Sequence, residues 1–373
     1  MIDFQISKES SLPLHVQLLD ELRHKILSGQ LKPHDQLPGE WELVNSLNIS
    51  RATIQRAWQA AQDEGLLYRV TGKGTFVAEP RSRDSGRNAI GFIIPEYRGT
   101  FALALLSGAE RVLRKAGYAV QFASTDREIG EENRILQELV NDDVSGIILV
   151  PARGSLYGRV LASNELGVPI VQMDRPLSGI VLPCVASNNY MGGLQAMNHL
   201  LELGHRQILF VARPHLDLWS IAERYRAYQD SLRRVGVEPL EPLLLGGDTE
   251  LSSYDAYLQQ HDEEVEPLLE RLQQNDRPTA IFAVNDWMAL KVYRAVELLG
   301  LKIPDDLSLV GFDDLDIAQY QNPPLTTVAQ NANLMGSEAA RRLLALIEGE
   351  EVLEILTLIP TKFVLRGSTA AYI

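Results

Sequence analysis

From residue 89 to the C-terminus, short aliphatic or β-branched runs alternate with amphipathic helical stretches. The runs are "AIGFII" (89–94), "AVQFAS" (119–124), "GIILVP" (146–151), "PIVQM" (169–173), "QILFVA" (207–212), "AIFAV" (280–284) and "LSLVGF" (307–312). Helical spacing places amphipathic helices near 102–116, 131–142, 190–203, 221–235, 262–274, 286–299 and 334–348. Such alternation produces parallel sheets with helices on both faces. Roughly 285 residues of it exceed one doubly wound unit, so the expectation is two lobes with a cleft between them. Ligands of such sheets sit beyond the carboxyl ends of the strands, and the residues directly after each run become the candidates for binding.

The first 80 residues follow a different rule. Leu14, Leu18, Leu22 and Ile26 recur at helical spacing and give a helix over 12–28. Glu40 to Leu47 forms a second helix. Ser50 is a good N-cap for a third, 51–64, which turns Ile54, Ala57, Trp58 and Ala61 inward. Gly65 ends it, and "LLYRV-TGKG-TFVA" reads as two strands around a tight turn. Three helices and a hairpin make a winged helix-turn-helix plan. "EPRSRDSGRN" (79–88) has nothing to bury and reads as a linker without a hinge helix. The expected domains are therefore 1–78 for DNA binding, 79–88 as linker, and 89–373 as a two-lobed ligand-binding unit.

The charge distribution permits this. The chain of 373 residues carries a formal net charge of −14, which taken alone argues against nucleic acid. Residues 1–80, however, hold eight basic and ten acidic side chains, and 51–77 hold four basic and two acidic. A basic face needs only a few charges, because fields are screened beyond ~8–10 Å at physiological salt. Cys184 is the single cysteine, so no intrachain disulfide forms and a reducing compartment fits. "MIDFQISKESSLPLHVQ" lacks the basic-then-apolar pattern of a signal peptide. No apolar run reaches the ~18 residues that would span a bilayer. The expectation is a cytoplasmic protein with no membrane partner and no cofactor.

The third helix presents Ser50, Arg51, Thr53, Gln55 and Arg56 at its start, where a recognition helix meets base edges and phosphates. Gln55 can pair with adenine, and Arg51 with guanine or phosphate. Gly72, Lys73 and Gly74 form a wing tip thin enough to approach the backbone. Over 12–78, the pieces "PLHVQ", "I-LSG-LKP-D-LP-E-EL", "ISR-TI-RA" and "GKGTFV" resemble a GntR-family winged helix-turn-helix domain. That resemblance implies operator binding by Ser50, Arg51, Thr53 and Gln55, with Gly72 and Lys73 on the backbone or minor groove. The chain departs from the family at Trp41 and Gln55, where a polar residue or Arg is usual. Trp41 is left between the domain core and a sugar of the DNA.

After the strand runs come planar polar side chains suited to sugar hydroxyls, with aromatic rings for C–H faces. Asp174 and Arg175 follow "PIVQM", Asn285 and Asp286 follow "AIFAV", and Asp313 and Asp314 follow "LVGF". Phe101 follows the first strand and its loop, Arg224 lies in "RYRAYQ", and Trp219 precedes it by five residues. Asp286 reads as a helix cap or a support for a lobe crossover, Asp314 as a cap, and His199 and His205 as structural. Residues 89–367 resemble the LacI/GalR effector domain through "VPIVQMDRP", "ASNNYMGGLQAMNHLLELGHRQILFVA", "AIFAVNDWMAL", "IPDDLSLVGFDD" and "PPLTTVAQNANLMGSEAARRLL". The layout behind a GntR-type head is similar to the arabinose repressor class. The resemblance implies ligand contacts by Phe101, Arg175, Arg224, Asn285 and Asp313, with Asp174 and Gln330 as further candidates; Trp219 reads, from its place alone, as either a lid over the ligand or surface packing. It also implies a homodimer on double-stranded operator DNA, released when a sugar binds between the lobes. The alternatives are a sugar receptor without regulation, a regulator whose ligand strengthens DNA binding, and an enzyme. No Walker loop, zinc spacing or nucleophile elbow supports the last.

Overall fold

The computed structural model describes residues 4, 6, 12–27, 30–63, 66–70, 73–78, 88–95, 99–125, 129–152, 167–177, 179–246, 265–350 and 352–372. It divides into two compact units, Met1–Gly86 and Arg87–Ile373. The expected linker falls almost wholly outside the described residues.

The first unit contains α1 (Leu14–Leu27), α2 (Glu40–Leu47), α3 (Arg51–Asp63) and the strands β1 (Leu67–Val70) and β2 (Gly74–Val77). The two strands pair antiparallel, with Tyr68 opposite Phe76 and Val70 opposite Gly74. Leu18, Leu22, Leu43, Ile54, Ala57, Trp58, Ala61, Leu67 and Val77 are buried together. Those on helices are the positions that the helical period of the sequence selects, and Leu67 and Val77 come from the paired strands. Phe4 closes the core edge-on against Trp58, with ring centroids 5.9 Å apart. Gly74 has φ 126°, and a Cβ there would stand 2.8 Å from Gln36 Nε2. The same Gln36 amide donates to the Lys73 carbonyl at 2.8 Å, pinning the wing to the body of the domain.

The second unit has two lobes. The first lobe is a six-stranded parallel sheet, ordered β13-β7-β6-β5-β3-β4. Its strands are β3 (Ala89–Ile94), β4 (Ala119–Ser124), β5 (Gly146–Leu149), β6 (Ile170–Met173), β7 (Cys184–Ser187) and β13 (Leu356–Ile359). All six residues of β3 are buried, as expected of a parallel strand covered on both faces. Helices α4 (Thr100–Lys115) and α10 (Ala332–Ile347) cover one face, and α5 (Ile129–Asn141) covers the other. The second lobe is a four-stranded parallel sheet of β11 (Ser308–Val310), β10 (Ala280–Ala283), β8 (Ile208–Ala212) and β9 (Leu243–Leu244), in that order. Its helices are α6 (Asn189–Glu202), α7 (Trp219–Arg234), α8 (Glu266–Gln273) and α9 (Asp286–Leu298).

The chain passes between the lobes three times. It leaves the first sheet after β7 and enters α6, whose Ala196, Met197 and Leu200 belong to the second lobe's core. It returns through β12 (Thr327–Ala329) into α10, and crosses again from β13 into β14 (Lys362–Val364), which pairs antiparallel with β12. These crossing segments went unnoticed in the sequence because they are short and no helix period follows β13. The seven expected strands are all present, each shortened by at most three residues, and the expected helices match within a few residues. For the helix expected over 262–274, residues 262–264 lie outside the described residues.

Helices α4 and α10 approach closely through two glycines. A Cβ on Gly108 would lie 2.0 Å from the Asn333 carbonyl oxygen, and one on Gly336 2.0 Å from that of Leu105. The obstacle in each case is backbone, which cannot rotate aside. Gly336→Val should therefore cost about 1–3 kcal/mol of stability. A melting curve should show the midpoint several degrees lower, whereas Gly117→Val, where a Cβ meets nothing within 4 Å but φ is 85°, should pay only for its backbone conformation.

Candidate functional site

Two sets of polar residues stand out, one in each unit. In the first unit they gather at the start of α3. The Ser50 hydroxyl accepts from the Thr53 amide at 3.1 Å and lies 2.8 Å from Thr53 Oγ1. This is a helix cap, and it satisfies an amide that the first turn would leave unpaired. Arg51 Nε donates to Glu40 Oε2 at 2.7 Å, and Gln55 Nε2 donates to the same oxygen at 3.1 Å. Arg69, on β1, brings a guanidinium nitrogen within 3.7 Å of Glu40 Oε1. The Arg51 hydrogen bond, first of all, holds the Glu40 carboxyl below its ordinary range. Gln55 and Arg56 line a concave surface of about 440 Å³ with Glu40, Gln59, Gln62 and Arg69. Lys73 is exposed at the wing, while Gly72 lies outside the described residues.

Two findings go beyond the sequence reading here. Of the two alternatives for Trp41, the core is excluded: the side chain is 65% exposed, with the Arg51 guanidinium 5.5 Å from its ring centroid. Glu40 was passed over, although it stands in the very "LP-E-EL" piece quoted above. Its carboxylate joins α2, α3 and β1, and holds Arg51 and Gln55 in place at the start of α3.

The second set lies in the cleft of the larger unit. Phe101, Asp174, Arg175, Arg224, Asn285, Asp313 and Gln330 line one cavity of about 160 Å³, together with Arg213, Leu218, Ser220, Ile221 and Val284. The lining draws on both lobes: Phe101 from α4 and Asp174–Arg175 after β6, against Arg224 from α7, Asn285 after β10 and Asp313 after β11. Trp219 is the exception. It is half-buried at the start of α7 and outside the lining, where its neighbours Leu218 and Ser220 stand instead.

Arg224 organises the floor. Its Nε donates to Asn189 Oδ1 at 2.8 Å, its Nη1 donates to the Val284 carbonyl at 2.7 Å, and its Nη2 lies 3.4 Å from Asp313 Oδ1. The guanidinium carbon sits 3.7 Å from the centroid of the Phe312 ring. Only 5% of Arg224 is exposed, so the charge needs these partners. Gln330 Nε2 donates to Asp313 Oδ1 at 2.6 Å, and Arg175 donates to Asp174 at 3.1 Å. Asp174 and Asp313 have φ of 72° and 111°. Such backbone costs about 1–3 kcal/mol for a non-glycine residue and persists where its surroundings enforce it. Here the Asp313 amide is fixed by the Val328 carbonyl of β12 and the Asp174 amide by that of Val185 on β7. Burial pushes the Asp313 carboxyl up to about 6, against the pull of Arg224.

The neighbouring acids divide the labour differently from expectation. Asn285, not Asp286, caps α9, accepting from the Met288 amide at 2.9 Å. Asp286 accepts from the Thr327 hydroxyl at 2.6 Å and from the Leu315 amide at 2.7 Å, so it braces a lobe crossing, one of the two roles foreseen. Asp314 is no cap; it accepts from Arg366 at 2.6 Å. His199 meets the Thr369 hydroxyl, and His205 meets Thr279, Ser308 and the Ala370 carbonyl, fastening the C-terminal segment. Arg213 was missed, though it directly follows β8 and the rule about strand ends would have found it.

A winged DNA-binding head and a two-lobed cleft lined by polar residues define a ligand-responsive DNA-binding regulator. Comparison with known proteins agrees. Residues 14–77 match the model of bacterial regulatory proteins of the gntR family, and residues 197–369 match a periplasmic binding protein-like domain. The chain is 31% identical to the arabinose metabolism transcriptional repressor of Geobacillus stearothermophilus, over 97% of this chain and 99% of that one. It is 28% identical to the transcriptional repressor CytR of Escherichia coli K12, covering 88% of this chain and 91% of that one. A LacI family regulator from Enterococcus faecium with bound ribose superimposes with a TM-score of 0.63 at 27% identity, covering 76% of this chain and 100% of that one. The chain belongs to the family of GntR-type transcriptional repressors that carry a LacI-type effector domain.

The raised Asp313 carboxyl has a consequence for stability. A carboxyl whose folded pKa exceeds its unfolded value, ~3.9, binds more protons in the native state between those two values. Its cost to the fold is full above about pH 6 and is relieved as pH falls through 6 toward 4. Asp313→Asn should flatten that part of the profile; thermal melts from pH 4 to 7 (an illustrative range about those values) check it. Asp286, also pushed up by burial, should supply the slope that survives.

Proposed function

We propose that this chain is a cytoplasmic repressor of carbohydrate-use genes, working as a homodimer that leaves its operator when a monosaccharide binds between the lobes. Ser50, Arg51, Thr53, Gln55 and Arg56 meet the major groove, and Lys73 meets the backbone beside it. Half-sites about one helical turn apart follow from the two-fold symmetry of such dimers. Glu40 trades its hold on Arg51 and Gln55 for their contacts with DNA. The reading involves no catalysis.

One observation supports the effector half most: Phe101, Asp174 and Arg175 of one lobe face Arg224, Asn285 and Asp313 of the other across a single cavity. A ligand that bonds both sets draws the lobes together. Planar donors and acceptors suit vicinal hydroxyls, and Phe101 offers an apolar face to C–H groups. The cavity, about 160 Å³, is smaller than the ~300–1,000 Å³ typical for drug-sized ligands. This size favours a monosaccharide over a disaccharide. Arabinose and ribose are the first sugars to test, given the arabinose metabolism repressor and the ribose-bound regulator to which the chain is similar. A coupling of about 1–3 kcal/mol between effector and operator sites gives 5–150-fold relief of DNA binding.

Gel shifts on a palindromic promoter fragment, with and without sugar, test the reading. Arg51→Ala should weaken operator binding by about 1–3 kcal/mol, the worth of one base or phosphate contact, without changing sugar affinity. Asp313→Ala should bind operator and ignore the sugar. An Asp313→Ala protein that releases DNA at the wild-type sugar concentration would falsify the placement of the effector.

A further inference from the structure

We infer that Arg69 is a DNA-contacting residue: it clamps a backbone phosphate of the strand that passes between α3 and the hairpin. This rests on the DNA-binding reading of the first unit and deepens it, adding a cation from β1 to the residues at the helix start and the wing tip. Two periodicities build the contact surface. On α3, Ile54, Trp58 and Ala61 turn into the core, and Gln55, Gln59 and Gln62 each follow one of them, so the three amides share the flank beside it. On the hairpin, Leu67 pairs with Val77 and Arg69 with Thr75. Strand residues two apart share a face, so the face that buries Leu67 and Val77 carries Arg69 and Thr75 one step further out. The helix flank and this strand face are the walls of the concave surface of about 440 Å³.

Arg69 is suited to an anion there. Its side chain is 63% exposed, and among the described residues the one carboxylate it meets is Glu40, at 3.7 Å, beyond hydrogen-bond reach. The other oxygen of Glu40 already accepts from Arg51 at 2.7 Å and from Gln55 at 3.1 Å. An exposed ion pair of this length contributes little, so Arg69 turns to a phosphate at small cost. A guanidinium fork meets phosphate with two parallel hydrogen bonds. Duplex geometry puts a phosphate chain at this place. The major groove is bounded by sugar–phosphate strands. With α3 in that groove and Lys73 on the backbone beside it, the strand between them crosses the channel that separates helix from hairpin. Arg56 stands on the helix side of the same channel, so the strand meets a guanidinium from each wall.

Fluorescence anisotropy of the full-length protein tests this on two labelled duplexes: one selected by the wild-type protein from a random pool, and a scrambled duplex of the same length and composition. Arg69→Gln should lower the slope of log affinity against log salt concentration by ~0.9 for each head bound. It should weaken both duplexes alike, because a phosphate contact carries no sequence information. Arg69→Lys should keep the wild-type slope. Arg69 is exposed, so neither replacement removes a buried contact. A scan of the selected duplex with single neutral methylphosphonate linkages gives a second reading. At one linkage per half-site the wild-type protein should lose affinity, and Arg69→Gln should lose nothing further there. An unchanged salt slope in Arg69→Gln overturns the inference and leaves the DNA-binding reading standing. A changed ratio between selected and scrambled duplexes at unchanged slope also overturns it, because Arg69 then acts through Glu40 on the base-reading residues. A wild-type protein that binds neither the random pool nor the scrambled duplex overturns both readings.

Discussion

The cleft of the larger unit depends on one buried cation. Arg224 comes from α7, yet its guanidinium is held by Asn189 at the start of α6, by the Val284 carbonyl at the end of β10 and by Asp313 beyond β11. It also lies over the Phe312 ring. Four segments of one lobe therefore converge on a charge that water barely reaches. Removing one partner of such a group costs more than the contact itself is worth, because a charge is left stranded. The same arrangement leaves the Asp313 carboxylate lining the cavity, an acceptor already oriented and desolvated for the ligand proposed above. In the proposed reading, structural and recognition demands fall on the same atoms.

Rigidity on that side is balanced by the crossings. Asp313 is bonded through its amide to β12, and Asp286 holds Thr327 at the first residue of the same strand. The segments that link the lobes are thus bonded directly to residues at the cavity floor. A ligand that changes how Asp313 or Gln330 is engaged acts on the crossing strand without any intermediary. In the first unit Glu40 plays a comparable role, since one carboxylate sets the positions of Arg51, Gln55 and Arg69. It also explains how so acidic a chain carries a DNA-binding face: the basic residues are few, local and organised by an acid.

Much of this was legible in the sequence because it rests on periodicity. Strands such as "AIGFII" declare themselves as continuous apolar runs and helices such as α3 through a burial pattern of period 3.6, and residues following strands are placed by topology. That rule gathered Asp174, Arg175, Asn285 and Asp313 into one cavity. What stayed hidden was tertiary. The crossing strands are too short for a period. The choice between Asn285 and Asp286 as cap depends on a side-chain rotation, and Asp314 turned to Arg366, fifty-two residues away in sequence. Trp219 opens α7 outside the lining, to which the extended residue before it, Leu218, and the residue after it, Ser220, contribute instead. Arg213 and Glu40 were readable in principle, the first by the strand-end rule and the second from its motif; both were passed over for more prominent neighbours.

The central claim is that a ligand in this cavity joins two lobes that otherwise move apart. Spin labels at Lys115→Cys in the first lobe and Lys302→Cys in the second measure it directly, both positions being exposed while Cys184 is buried and its thiol made unreactive by burial. Pulsed dipolar spectroscopy should give a shorter and narrower distance distribution at a saturating concentration of the sugar that raises the melting temperature. An unchanged distribution with that sugar bound would contradict the account.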